Sequence, residues 1–211
     1  MQARSTFWLT FAGVIVKPVS TLRRLQEDSQ AARKGVVALL SVLAVYTSIL
    51  IVFIVCDYPA MAPSILPIAV EDLYRYQVWY QGPLFTVATL LLVGILLLLA
   101  RLTGHRESFG TVFARVSFAT TAPFALTTMA VELVIALSLF AGVFQAQEIL
   151  GWLTGEGAWF ANAYQFVGVA WIVGLLAITA KLSVGLRWWA GIVLGVALAI
   201  IYGLPIGLFI R

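Results

Sequence analysis

Charged residues, cysteine and histidine are all scarce in this sequence. Only 10% of the 211 residues are charged, whereas 62% are hydrophobic and the mean hydropathy is +1.02. A soluble domain could not cover its surface with so few charged side chains. Cys56 is the only cysteine and His105 the only histidine, which excludes an internal disulfide and a zinc site of the Cys/His type. We expect neither a metal nor another cofactor.

Motifs of enzymes and of nucleic-acid-binding proteins are also missing. The sequence has no glycine-rich phosphate loop, no HExxH and no GxSxG. The net charge is +4, but the basic residues stand at the ends of apolar segments, a pattern typical of membrane anchors and not of a nucleic-acid surface. The sequence therefore favours a protein that is not an enzyme and binds no nucleic acid.

Long apolar runs indicate an all-α integral membrane protein. A bilayer core requires about 20 apolar residues per helical span. The sequence predicts a five-span helical bundle over residues 35–211. The predicted spans are residues 35–55, 83–100, 122–143, 161–180 and 188–210.

Residues 1–34 are predicted to form a cytoplasmic segment at the membrane surface. Residues 7–16 are apolar but too few to span, and they include aromatic side chains of the kind found at the headgroup level. A helix starting at Pro18 would place its apolar residues on one face and Arg23 and Arg24 toward water. Those apolar residues are Val19, Leu22 and Leu25. We expect an amphipathic surface helix.

The third predicted span lies within an apolar stretch that is too long for one upright helix. Residues 112–144 would extend about 50 Å as a straight helix, against a hydrocarbon core of about 30 Å. Pro123 follows Ser117, Thr120 and Thr121 and is the expected helix break. We expect the part before Pro123 to lie at the surface.

Basic residues predict the orientation. Six lie in the first 35 residues, three in residues 101–115 and two in residues 181–188, whereas the other side holds only Arg75 and Arg211. Because cytoplasmic loops are enriched in lysine and arginine, the N-terminus is expected in the cytoplasm and the C-terminus outside it. A bacterial inner membrane would fit this arrangement.

The order of these elements resembles the Yip-domain family, named for Ypt/Rab-interacting proteins, in its short bacterial inner-membrane form. The resemblance lies in a basic surface helix at residues 17–22 (KPVSTL), in the loop 104–110 (GHRESFG) and in residues 119–124 (ATTAPF) before the third span. Five spans with a cytoplasmic N-terminus agree with it. It implies a membrane-shaping, adaptor or transport-associated role without an assigned reaction. GTPase binding is not implied, because residues 80–84 (YQGPL) precede the second span instead of the first.

Glu132 is the most unusual residue of the predicted spans. An ionised carboxylate inside a bilayer is costly, so it must be protonated, paired or hydrated, and we expect it to be neutral. It could respond to protons or cations. Alternatively, it is a neutral carboxyl that hydrogen-bonds to Asn162, Gln165 or another helix.

Small residues recur at every fourth position of the fifth span, where they allow another backbone to approach closely. They are Gly191, Gly195, Ala199, Gly203 and Gly207. This stripe predicts packing within the bundle or a homodimer face.

Four arginines at the predicted inner surface are candidates for binding anionic lipid headgroups, although scattered basic residues also serve only as orientation signals. They are Arg23, Arg24, Arg106 and Arg115.

Three functions remain open. The first is a Yip-like membrane protein that organises the bilayer or binds lipid or membrane-protein partners. The second is a small proton- or ion-coupled transporter or channel that uses Glu132. A membrane enzyme comes third, because the carboxylates predicted outside lack metal-ligand spacing.

Overall fold

The computed structural model describes residues 6–60 and 68–209, with side chains through residue 206. Throughout these ranges the regular secondary structure is α-helical, so the predicted all-α fold is confirmed. The helices are α1 Phe7–Val16, α2 Pro18–Arg24, α3 Ala31–Val55, α4 Leu73–Leu102, α5 Phe109–Leu126, α6 Thr128–Phe140, α7 Ala146–Thr154, α8 Ala158–Val184 and α9 Trp188–Phe209.

Within the described residues, five helical segments are long and apolar enough to cross a membrane. They are α3, α4, α5 together with α6, α8, and α9. The chain is therefore a multi-pass membrane protein with the five spans that its apolar runs predict. Residue 210, the predicted end of the last span, lies outside the described residues.

α5 is the central helix of the bundle, and the surface position predicted for the segment before Pro123 is wrong. Every residue from 111 to 123 is buried, and α5 contacts α1, α3, α4, α6 and α8. Two of its buried hydroxyl groups bond to the helix's own carbonyls, which lowers the cost of placing them in the interior. Thr120 Oγ1 donates to Val116 O at 3.0 Å, and Thr121 Oγ1 donates to Ser117 O at 2.6 Å.

The break in the third span lies at Thr127, not at the predicted Pro123. Pro123 lies inside α5, whereas Thr127 has φ −105° and ψ −86° and separates α5 from α6. The amide and the hydroxyl of Thr127 both donate to Pro123 O, at 2.9 and 2.8 Å. A threonine hydroxyl bonded back to the preceding turn is a known cause of helix bending.

α4 begins ten residues before the predicted start of the second span. Pro83 lies inside the helix, and the aromatic segment that would belong to a connection under that prediction forms the first turns of α4. Tyr74, Gln77 and Gln81 are buried, whereas Tyr76 and Trp79 are exposed. The buried residues lie three and four positions apart, so they share the face of α4 that packs into the bundle.

One end of the bundle, which we call the basic end, contains α1, α2 and the connections 103–108 and 185–187. Gly104 and Gly185 adopt φ values of +78° and +73° just after α4 and α8. Glycine accommodates this left-handed conformation, which ends a helix, without steric cost. Thr103 Oγ1 donates to Val184 O at 3.0 Å, so the ends of α4 and α8 are held together.

Candidate functional site

Arg115 joins four separate segments inside the basic end. Its Nε donates to Leu22 O at 2.9 Å, and its Nη1 donates to Glu107 Oε1 at 3.0 Å and to Ser183 Oγ at 3.1 Å. The Arg115 side chain is 0% exposed and that of Glu107 is 6% exposed. We call these four residues the arginine junction. It ties α2 and the connection before α5 to α5 and α8.

The arginine junction corrects one predicted lipid contact. Arg115 lies in the interior and binds protein groups, so it does not form a surface site with the other three arginines. Arg23, Arg24 and Arg106 are exposed at the basic end. Their geometry leaves them accessible to a lipid headgroup.

α1 and α2 pack against this end of the bundle. Phe7 of α1 stacks on Phe118 of α5 with ring centroids 5.9 Å apart. Leu22 and Leu25 are buried, 0% and 2% exposed, while Arg23 and Arg24 remain exposed. The basic side chains are consequently carried by a segment whose apolar face is fixed to the protein.

A second connection at this end involves a buried lysine. Lys34, in the first turns of α3, forms an ion pair with Asp28. Burial disfavours the charged form of Asp28. The hydrogen bonds from Lys34 and from the Gln30 amide outweigh that effect and hold the pKa of Asp28 below its ordinary value. The ion pair therefore fixes the turn between α2 and α3.

Glu132 lies in α6, and its hydrogen-bond partner is on another helix. Its carboxyl bonds to the hydroxyl of Tyr46 in α3, and Gln77 Nε2 of α4 donates to the same Tyr46 oxygen at 3.3 Å. Because Gln77 donates to it, the Tyr46 hydroxyl is able to donate to Glu132. Glu132 Oε2 is inaccessible to solvent and has no partner among the described residues. We call these three residues the glutamate network.

Three more tyrosines lie close enough to interact electrostatically with Glu132. They are Tyr58, Tyr74 and Tyr164. Tyr58 follows the end of α3 and is 4% exposed, and burial raises the pKa of its hydroxyl to about 12. Four tyrosine hydroxyls thus lie within electrostatic range of Glu132, and the one that hydrogen-bonds to it is Tyr46.

The helix break at Thr127 lies five residues before Glu132. A Cβ added at Gly168 of α8 would lie 2.5 Å from Thr127 Oγ1, so the α8 backbone packs directly against the break. The adjacent Phe124 packs edge-on against Tyr46, with ring centroids 5.1 Å apart. Phe124, three residues before the break, therefore contacts the Tyr46 ring of the glutamate network.

Asn162 and Gln165, the partners that the sequence suggests for Glu132, are both exposed, and Asn162 donates to Ala158 O instead. Tyr46 and Gln77 are not among the predicted partners of Glu132. The spacing of Tyr74, Gln77 and Gln81 by three and four positions is the signal that could have placed the glutamine on a buried helix face.

The stripe of small residues has two different surroundings. A Cβ at Gly195 would lie 2.6 Å from both the Cα and the N of Ala177 in α8, and one at Gly191 would lie 3.2 Å from Ala177 O. Ala199 is half-buried and packs against the core. Gly203 is exposed, and a Cβ there would meet no atom of another described helix within 4 Å. The surroundings of Gly207 lie outside the described part of the chain.

Among the described residues, no three His, Cys, Asp or Glu side chains lie together in a group able to hold a metal ion. Comparisons with family models, with curated proteins and with solved structures gave no match.

Proposed function

We propose that this chain is a non-enzymatic, Yip-like membrane protein that organises the bilayer by binding lipid or membrane-protein partners at its basic end. The observation that carries the proposal is the arginine junction, which fixes α2 to the bundle through Arg115 and leaves Arg23 and Arg24 exposed. α1 exposes large apolar side chains beside them. These are Trp8, Leu9 and Val16.

Basic and apolar side chains exposed together are typical of an amphipathic segment that lies at a membrane surface. A bacterial inner membrane and a cytoplasmic basic end belong to the same proposal and are supported by the distribution of lysine and arginine. The partner in this proposal is an anionic lipid, a second copy of the chain or another membrane protein.

Extraction of the full chain in native lipid patches, followed by mass spectrometry, tests the proposal. We expect a protein at stoichiometric amount, or a lipid class enriched above its share in the membrane. Exchanging Arg23 and Arg24 for glutamine should reduce that enrichment. A pure protein whose lipids match the bulk membrane would contradict the proposal.

The glutamate network favours a second candidate, a small proton- or ion-coupled transporter. An intramembrane carboxyl with one unpartnered oxygen next to a helix break is a feature of such proteins. Flux of protons and monovalent cations into vesicles containing the purified protein tests it. Flux that is lost in Glu132→Gln but kept in Glu156→Gln, an exposed carboxylate, would support this candidate. Absence of flux in the parent protein would exclude it.

A further inference from the structure

A groove with a volume of about 1000 Å³ lies between α1 and α2 at the basic end. This volume is at the upper limit of ordinary ligand pockets, about 300–1,000 Å³. One wall is apolar and includes Leu9, Ala12 and Val16 of α1. The exposed fractions of Leu9 and Val16 are 66% and 73%, so the protein itself does not cover this wall.

The opposite wall is basic and rich in hydroxyl groups. Lys17, Ser20, Thr21 and Arg24 line it. They lie at intervals of three and four positions, so they follow one face of α2. Lys17 immediately precedes the seven residues of α2, which extend about 10 Å, and Arg24 is the last of them. Both cationic side chains are long and flexible. The two cations can therefore converge on one anionic group.

We propose that this groove binds one membrane phospholipid, with the phosphate between Lys17 and Arg24 and an acyl chain along the apolar wall of α1. The inference rests on the proposed lipid-binding function and names the site and the ligand class. Charge complementarity supports it at one wall, and the uncovered apolar side chains support it at the other.

Acidic residues in the lining do not oppose this arrangement. Glu27 and Asp28 come after Arg24 in the chain, toward α3, and the Asp28 carboxylate is bound to Lys34. Lys17 directly follows Val16 of the apolar wall, so a phosphate bound by Lys17 lies next to acyl chains on that wall.

Native mass spectrometry of the purified full chain with added phosphatidylglycerol tests the site. Each basic residue near the membrane surface strengthens binding roughly fivefold. We therefore expect the apparent Kd to rise about 25-fold in the Lys17→Gln/Arg24→Gln variant. The matched control, Arg33→Gln/Arg101→Gln, removes two exposed charges at the same end that line neither the groove nor any proposed lipid contact, and should change the Kd little. An equal loss in the control would overturn the proposal in favour of general electrostatic attraction.

Two further binding measurements distinguish the contribution of the phosphate headgroup from that of the acyl chains. Diacylglycerol with the same acyl chains should bind much more weakly, because it lacks the phosphate. Glycerol 3-phosphate should compete poorly, because it lacks the chains. Diacylglycerol binding as tightly as phosphatidylglycerol, or full displacement by glycerol 3-phosphate, would contradict a phospholipid site.

A steric variant gives an independent check. Ser20→Trp places a bulky ring in the groove from an exposed position and should abolish retention of phosphatidylglycerol with the fold intact. Retention of the lipid by this variant would overturn the assignment. If partners and lipids still co-purify in native patches with the Ser20→Trp variant, the proposed function stands while the groove assignment fails.

Discussion

The guanidinium of Arg115 and the carboxylate of Glu107 form a 3.0 Å ion pair in the interior of the basic end. The pair links the connection before α5 to α5 itself, and Arg115 also donates hydrogen bonds to Leu22 O and Ser183 Oγ. Removing one member of a buried pair leaves an uncompensated charge, which costs about 3–5 kcal/mol. The position of α2 thus depends on the junction that Arg115 forms.

Arg115→Leu should strongly lower the thermal unfolding temperature in detergent, because Glu107 would remain buried without its cation. The double variant Arg115→Leu/Glu107→Leu should recover part of the loss, since no buried charge remains. Arg106→Gln, at an exposed position one residue from Glu107, is the control and should change stability by no more than about 0.5 kcal/mol. If Arg115→Leu behaves like this control, the pair is not buried.

The sequence could indicate the number of spans but not the function of Arg115. Apolar runs predict spans directly, because the bilayer sets their length. Arg115, in contrast, is 93 residues from Leu22 and 68 from Ser183, and no local pattern reveals such partners. Pro123 is the break that the sequence predicts, because proline disturbs helices, yet the distortion lies at Thr127, where packing against Gly168 also acts.

Gly195→Leu should destabilise the bundle. Its Cβ alone would lie 2.6 Å from the Ala177 backbone, so α8 and α9 would have to separate, at a cost of about 1–3 kcal/mol or more. Gly203→Leu on the same helix is the matched control, because that position is open. Thermal unfolding in detergent compares the two.

Gly195 and Gly203 both belong to the stripe of small residues at every fourth position, so the sequence pattern alone does not distinguish them. Equal stability of the Gly195 and Gly203 variants would contradict the close packing at Gly195. A change of oligomeric state in Gly203→Leu alone would instead identify the open half of the stripe as a contact between chains.

Reporter fusions test the orientation. Five spans place the two ends of the chain on opposite sides of the membrane, and the basic residues favour a cytoplasmic N-terminus. A C-terminal reporter that is active only outside the cytoplasm should therefore be active, and the same reporter at the N-terminus should be inactive. An active N-terminal reporter would reverse the assignment of the basic end.

The ion pair between Asp28 and Lys34 predicts a loss of stability in acid. Because the pKa of Asp28 is lower in the folded chain than its ordinary value of 3.8, the folded state favours the carboxylate. The resulting stabilisation is complete above that ordinary value and is lost as the pH falls through the folded-state pKa. Thermal unfolding from roughly pH 5 to pH 2 should show this loss, and Asp28→Asn should lower stability at pH 5 and reduce the pH dependence.

Asp72→Asn provides a comparison, since Asp72 pairs with Arg75 on the surface, where both side chains are exposed. Exposed ion pairs contribute about 0–1 kcal/mol, so this variant should keep the parent's pH dependence. If Asp28→Asn keeps the parent's pH dependence of thermal stability, the ion pair with Lys34 does not contribute to stability.

Substitutions of Glu132 test the glutamate network. Glu132→Gln preserves a side chain of the same shape that can still accept from Tyr46, and should fold with near-parent stability. Glu132→Ala removes the acceptor and leaves the Tyr46 hydroxyl without that partner in the interior, at a cost of about 1–3 kcal/mol. Glu156→Ala, an exposed carboxylate, is the control for simple loss of a charge. Tyr46→Phe should lower stability less when Glu132 is already Ala than in the parent, because the two residues share one hydrogen bond.

Infrared difference spectra, in which the Glu132→Gln spectrum is subtracted from that of the parent, test whether Glu132 is protonated, as the sequence predicts. A protonated-carboxyl band at pH 7 would agree with it, whereas a carboxylate band alone would show that the tyrosines and a cation or water stabilise a charge there.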